Sequence, residues 1–222
     1  MTKEEGDRKR LLVYSALAVI MTGAALSHGL LFGRNELAMD VLIPFSYLGL
    51  GMMIKYGDQA YDAGAYPKRT ALLLSLPGGV WLGSLMAVDP GSATIFVGWL
   101  VGLLRAGKLD NLAFGIGAVT AVAITGLAML GGVSSFSLVG SLVVLVFAFI
   151  DEKTNDLPWV DDGRGFGAVV LHNRPFLKVA VLVLCLAGIL PSMLYFFAFM
   201  AFDLAYSVVE ILSLRRGVPS VG

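Results

Sequence analysis

One cysteine, two histidines and a charged fraction of only 14% are what this 222-residue sequence has least of. The single thiol, Cys185, rules out an internal disulfide, and its place inside an apolar stretch reads as small-residue packing. No Cys/His cluster of metal-binding type is present, nor a phosphate-cradling glycine loop or a nucleophile elbow. The glycine-rich stretch from Gly163 to Gly167 lacks the strand-turn-helix context of a nucleotide site. Lys and Arg number 16 and Asp and Glu 16, so no net field recruits polyanions, and nothing supports nucleic-acid binding. The shortage of charge excludes most. With 57% hydrophobic residues, the chain cannot build the polar surface that a water-soluble domain requires.

What the sequence does have is a succession of apolar blocks separated by short charged punctuation. About 20 apolar residues cross a hydrocarbon core as a helix. The weak ten-residue alternation of spanning strands does not occur. The blocks predict spans at about 11–33, 37–55, 70–88, 91–104, 111–130, 133–150, 176–191 and 193–213. The first, preceded by Lys3, Arg8, Lys9 and Arg10, is too long for a signal-peptide core and is read as a retained helix. The last two share one run with Pro191 near its middle, which reads as a tight hairpin rather than one kinked helix. The expectation is an all-α polytopic transmembrane helical bundle, one domain over 1–222, with about eight spans in two four-helix halves. Gly79-xxx-Gly83 and Gly98-xxx-Gly102 are expected to let helices approach closely within that bundle.

Charge tests the count. With eight spans the N-terminal cluster shares one side of the membrane with Lys55, Lys68, Arg69, Arg105, Lys108, Lys153, Arg164, Arg174, Lys178, Arg215 and Arg216. Only Arg34 falls opposite. That bias makes the basic side cytoplasmic and predicts an integral membrane protein with both termini in the cytoplasm. The sizeable loops, 56–69 and 151–175, both lie on this side.

Chemistry concentrates in those loops. Asp58 and Asp62 are four residues apart, so they share a face if the second helix continues. Paired carboxylates with waters are the usual protein share of a Mg²⁺ site that also takes a phosphate group, and Lys68 and Arg69 are placed to contact the same phosphates. An ordinary hydrated loop gives the same pattern. The second loop repeats the four-residue spacing in Glu152 and Asp156, and again in Asp151 with Asn155, with Lys153 and Arg164 as candidate diphosphate contacts. Two such loops could clamp metal ions and a diphosphate between them.

These segments resemble those of the UbiA superfamily of intramembrane prenyltransferases. That family carries an Asn-Asp-x-x-x-Asp-x-x-x-Asp-like segment after its second helix and an Asp-x-x-x-Asp-like segment after its sixth. Asp58 and Asp62 match two acids of the first, while Gly57 stands in place of its Asn and Tyr66 in place of its third Asp. Asp151, Glu152 and Asp156 are the candidates for the second. The resemblance implies Mg²⁺ bridging these acids to a polyprenyl diphosphate, with prenyl transfer to an acceptor that the sequence does not name.

Two other readings stand beside it. Asp203, inside the last span, could serve a small ion or solute transporter or channel, with Glu210 two turns later. The departures from the family pattern also fit a noncatalytic lipid-binding membrane protein. His28 and Asp40 are further polar residues at membrane depth, and His28 reads as a core histidine.

Overall fold

The computed structural model describes residues 3–32, 37–161 and 165–216, and these residues form helices and connections with no strand. The helices are α1 (Lys3–Phe32), α2 (Leu37–Tyr61), α3 (Lys68–Val88), α4 (Pro90–Ala106), α5 (Leu112–Leu130), α6 (Leu138–Asn155), α7 (Pro158–Asp161), α8 (Phe166–His172), α9 (Pro175–Leu186) and α10 (Leu194–Arg216). Five stretches, Glu5–Phe32, Leu37–Tyr61, Lys68–Val88, Leu112–Leu130 and Leu194–Leu214, are long and apolar enough to cross a membrane. Helix α4 is apolar but has 17 residues, α6 carries Asp151, Glu152 and Lys153 near its end, and α9 has 12 residues. A bend of 60° separates α8 from α9. Leu31, Leu73, Val119 and Leu127 are each at least 70% exposed, an apolar exterior suited to hydrocarbon rather than water.

Short connections are set by local chemistry. Asp89 caps α4 by accepting a 2.7 Å hydrogen bond from the Ser92 amide, with Pro90 at the first helical position. Asn111 and Ser137 cap α5 and α6 in the same way. Helix α2 runs on to Tyr61, past the end expected from hydropathy, because nothing between Lys55 and Tyr61 interrupts it. The apolar run around Pro191 is two helices, α9 and α10, joined through residues 187–193 with Gly188 at φ 70°.

Helix α10 packs between α1 and α2, α3 packs on α5, and α4 packs on α6. Small residues allow these approaches. A Cβ on Gly98 would lie 2.3 Å from the Ser141 carbonyl oxygen, and one on Gly79 would lie 2.5 Å from that of Gly117. Both Gly-xxx-Gly segments therefore serve packing inside this chain: Gly83 meets Ala121 of α5, and Gly102 meets Ala148 of α6. An aromatic core fills the centre, with ring centroids of Tyr47 and Phe96 4.8 Å apart and those of Trp99 and Phe202 5.5 Å apart.

At the end of the bundle formed by the α3–α4 connection, Asp89 is buried and fully engaged. Tyr195 donates to its Oδ1 at 2.6 Å, the Ser92 amide binds its Oδ2, and Tyr47 donates to Ser92 Oγ at 3.2 Å. His28 packs between Phe32 and Phe197, and its buried Nδ1 has no hydrogen-bond partner. Asp40 is buried beside Gly29.

Candidate functional site

The opposite end of the bundle gathers most of the charge. On α2, Lys55, Asp58 and the following Asp62 occur at i, i+3 and i+7; on α10, Asp203, Tyr206 and Glu210 repeat that spacing. This spacing places each set along one helix face. Packing of α2 on α10 brings the two stripes together.

Lys55, only 6% exposed, is the hub. Its Nζ lies 3.1 Å from Asp58 Oδ2, 3.4 Å from Glu210 Oε1 and 3.3 Å from the Tyr206 hydroxyl. Tyr206 donates in turn to Asp58 Oδ2 at 3.1 Å. Its ring is flanked by two cations, the Lys55 ammonium at 4.5 Å and the Arg174 guanidinium at 5.4 Å from the centroid. Arg174 Nη2 pairs with Glu152, at 3.2 Å from Oε1 and 3.3 Å from Oε2.

The backbone of Arg174 is left-handed, at φ 48° and ψ 63°, and no other non-glycine residue has positive φ among those described. Strain of this kind persists only where the surroundings impose it. Here Asp151, buried on α6, accepts from the amides of Leu177 at 2.6 Å and Phe176 at 3.1 Å. It thereby ties down the start of α9, where the orphan donors and positive dipole end of a helix favour a carboxylate. Lys178, one turn into α9, pairs with Asp203 at 2.9 Å.

The sequence-predicted residues divide accordingly. Asp58 and Asp62 do share a face: the Asp62 amide donates to the Asp58 carbonyl at 2.9 Å, and their carboxyl groups share a hydrogen bond. Burial, then the Asp58 charge and that hydrogen bond, then the Asp110 charge push the Asp62 carboxyl up to about 6, against the opposing pull of Lys55. Lys68 and Arg69 are exposed in the first turn of α3, and the Lys68 ammonium lies 5.1 Å from the centre of the Tyr61 ring. Asp151, Glu152 and Asp156 point to three different protein partners: the α9 amides, Arg174, and Lys108 at 2.6 Å. Lys153 is exposed and donates to the Ala106 carbonyl at 3.3 Å. Arg164 lies outside the described residues. Among the described residues, no group of three or more His, Cys, Asp or Glu side chains is gathered to hold a metal ion.

The two acidic regions nevertheless meet. An unbroken line runs from Glu210 through Lys55, Asp58, Tyr206 and Arg174 to Glu152, linking α2, α10, the start of α9 and α6. Sequence reasoning used Lys55 and Arg174 only as topology markers and assigned Tyr206 no role. The matching i, i+3, i+7 stripes were the signal available for Lys55 and Tyr206; nothing local marks Arg174.

Beneath this line a narrow cleft is lined by Trp99, Arg174, Leu177, Phe199, Phe202, Asp203 and Tyr206. A second space, an apolar groove, lies between α2, α3 and α5. The edge of Trp99 and Phe114, with centroids 6.1 Å apart, stands where the two approach. No family model, curated protein or solved structure matches the chain.

Proposed function

We propose that the chain is a divergent intramembrane prenyltransferase of the UbiA type, with eight spans, both termini in the cytoplasm, and its site at the charged end of the bundle. The observation that carries this reading is the junction at Tyr206. Acidic segments some 90 residues apart in sequence are brought, with two partly or fully buried cations, to the head of an aromatic-lined cleft (Asp58 to Glu152). An anionic head at the charge line and an apolar chain below it are what this polarity suits. The gathering of basic residues on one side supports the orientation.

The first acidic segment fits a Mg²⁺ ion in a limited way. Asp58 and Asp62 follow one another on one face at the end of α2, and Mg²⁺ usually takes one or two carboxylates from a protein and the rest from water and phosphate. Asp151, Glu152 and Asp156 fit less well, since each is engaged by a protein group. When bound, the metal would screen diphosphate charge. Lys55, Arg174 and Lys178 supply fixed positive charge on the same face, which stabilises negative charge developing on a departing diphosphate. Trp99, Phe199 and Phe202 line the apolar side of this junction, where they would keep water from the reacting head group.

The test is Mg²⁺-dependent release of inorganic diphosphate from geranylgeranyl diphosphate by purified protein, supplied with membrane lipid extract as acceptor. Release that disappears in Asp58→Asn and on chelation supports the reading. Equal release by Asp58→Asn removes it. A noncatalytic binder of the same ligand is the second reading, favoured by the Lys55 ammonium already resting on Asp58. It predicts ligand binding without diphosphate release. In the transport reading, Asp203 would act as part of its pair with Lys178, 2.9 Å away.

A further inference from the structure

Between α6 and α9 the chain builds two short helices that the charged site does not use. Helices α7 and α8 pack against each other and on the end of α6. Val160 and Ala168 are their inward residues, and both are fully buried. Outward, Trp159 is 51% exposed and Phe166 is 86% exposed. Phe166 and Val170 are four residues apart and share a face of α8. The Trp159 ring lies against the same helix, 3.8 Å from where a Cβ on Gly167 would stand.

Neighbouring helices fix the depth of this patch. Asn173, immediately after α8, accepts a 3.3 Å hydrogen bond from the Tyr14 hydroxyl of α1. Tyr14 stands one turn beyond Arg8, Lys9 and Arg10, which are exposed, and α1 carries no Asp, Glu, Lys or Arg from Leu11 to Phe32. Leu12 and Val13, beside Tyr14, are exposed apolar side chains. The switch from charge to apolar surface along α1 marks where headgroups give way to hydrocarbon, and the end of α8 is tied to that level. Helix α9 then packs on α6 and on the spanning α10. The 60° bend between α8 and α9 therefore turns α8 toward the membrane plane. A helix at this level, with rings on its outer side and a small residue on its inner side, is arranged as interfacial helices are. Tryptophan and other amphipathic rings concentrate at the same depth.

We propose that α7 and α8 form a membrane-interface anchor, with Trp159, Phe166 and Val170 seated among the lipid headgroups and upper acyl chains on the charged side of the bundle. This anchor is independent of the prenyl-transfer reading. Its consequence for the site is mechanical. Arg174 lies two residues beyond α8 and is paired with Glu152, so the left-handed turn is held between the anchor on one side and α6 on the other.

Spin labels measure the depth directly. Nitroxides are attached through Phe166→Cys and Trp159→Cys in a Cys185→Ala background, with the full chain reconstituted into vesicles of phosphatidylcholine and phosphatidylglycerol. Leu127→Cys, on the apolar exterior, and Ala63→Cys, in the exposed connection after α2, are the references for hydrocarbon and water. Collisions with oxygen, which concentrates in hydrocarbon, are compared with those of a water-soluble nickel chelate. The expected ratio for both test labels lies well above that of Ala63 and below that of Leu127, at a depth of about 5–10 Å into the headgroup and acyl boundary. Phe166 is so exposed that its replacement removes little packing, so its label decides the matter, and Trp159→Cys repeats the reading at a second position. A ratio equal to that of Ala63 places the patch in water and overturns the anchor. Low collision with both reagents shows that protein, a second copy or another partner, covers the patch, and it also overturns the anchor.

Discussion

Replacing Lys55 with methionine keeps the length and apolar stem of the side chain and deletes one buried charge. In wild type that charge lies against Asp58, Glu210 and the Tyr206 hydroxyl. Breaking a fully buried ion pair costs roughly 3–5 kcal/mol. The Asp58 and Glu210 side chains are 22% and 36% exposed, so solvent recovers part of that loss, and about 1–3 kcal/mol is the expected cost. At this chain length each kcal/mol moves a midpoint by about 2–4 °C, so a fall of about 4–8 °C is expected for a central value near 2 kcal/mol. The assay is thermal unfolding in detergent with and without Mg²⁺. Without the ammonium, Asp58 and Asp62 are two adjacent carboxylates, so Mg²⁺ alone should restore part of the midpoint in Lys55→Met and do less for wild type. Lys55→Met with Asp58→Asn should lose less than the sum of the single changes, because the same contact is counted in both. An unchanged midpoint in Lys55→Met, or strict additivity in the double variant, would refute the hub assigned to Lys55.

Three further outcomes are expected. The raised Asp62 carboxyl makes its contribution to stability complete below its ordinary value of 3.8 and lost as pH rises through about 6, so stability should decline across that window, and Asp62→Asn should flatten the decline in a pH series of unfolding midpoints. Gly98→Ala forces a Cβ to within 2.3 Å of the Ser141 carbonyl and should destabilise by about 1–3 kcal/mol, whereas Gly126→Ala meets nothing within 4 Å and should be neutral or slightly stabilising in the same unfolding assay. Tyr195→Phe removes the 2.6 Å hydrogen bond to buried Asp89 and should cost about 1.5–3 kcal/mol by denaturant or thermal unfolding.

Hydropathy carried the helices well because a bilayer imposes one demand on every span: each predicted segment overlaps a helix, and five of the eight lie on helices long and apolar enough to cross a membrane. It was weaker on length. Asp58 stays on α2 because a helix does not end where apolar residues stop, and α9 is shorter than expected because it ends at Leu186, just before Gly188 turns left-handed at φ 70°. The Asp58 and Asp62 pair was legible from spacing alone, since four residues on a helix must share a face. The fate of the second segment was not. Whether Glu152 meets a metal or an arginine depends on a backbone turn at Arg174 and on α9 folding back against α6, and neither leaves a local trace. Spacing also showed which residues of α10 lie together, but not that α2 would supply Lys55 to face them. Pairing of helices distant in sequence is set by packing of small residues such as Gly51, where a Cβ would lie 2.3 Å from the Phe202 carbonyl oxygen.

The most direct test of the central claim is equilibrium binding of radiolabelled geranylgeranyl diphosphate to the purified protein, with Mg²⁺ and with chelator. Saturable binding that requires Mg²⁺, and that falls together in Asp58→Asn and Arg174→Gln while both variants remain folded, is the predicted result. Binding indifferent to Mg²⁺ and to both substitutions, or no saturable binding, would contradict the account.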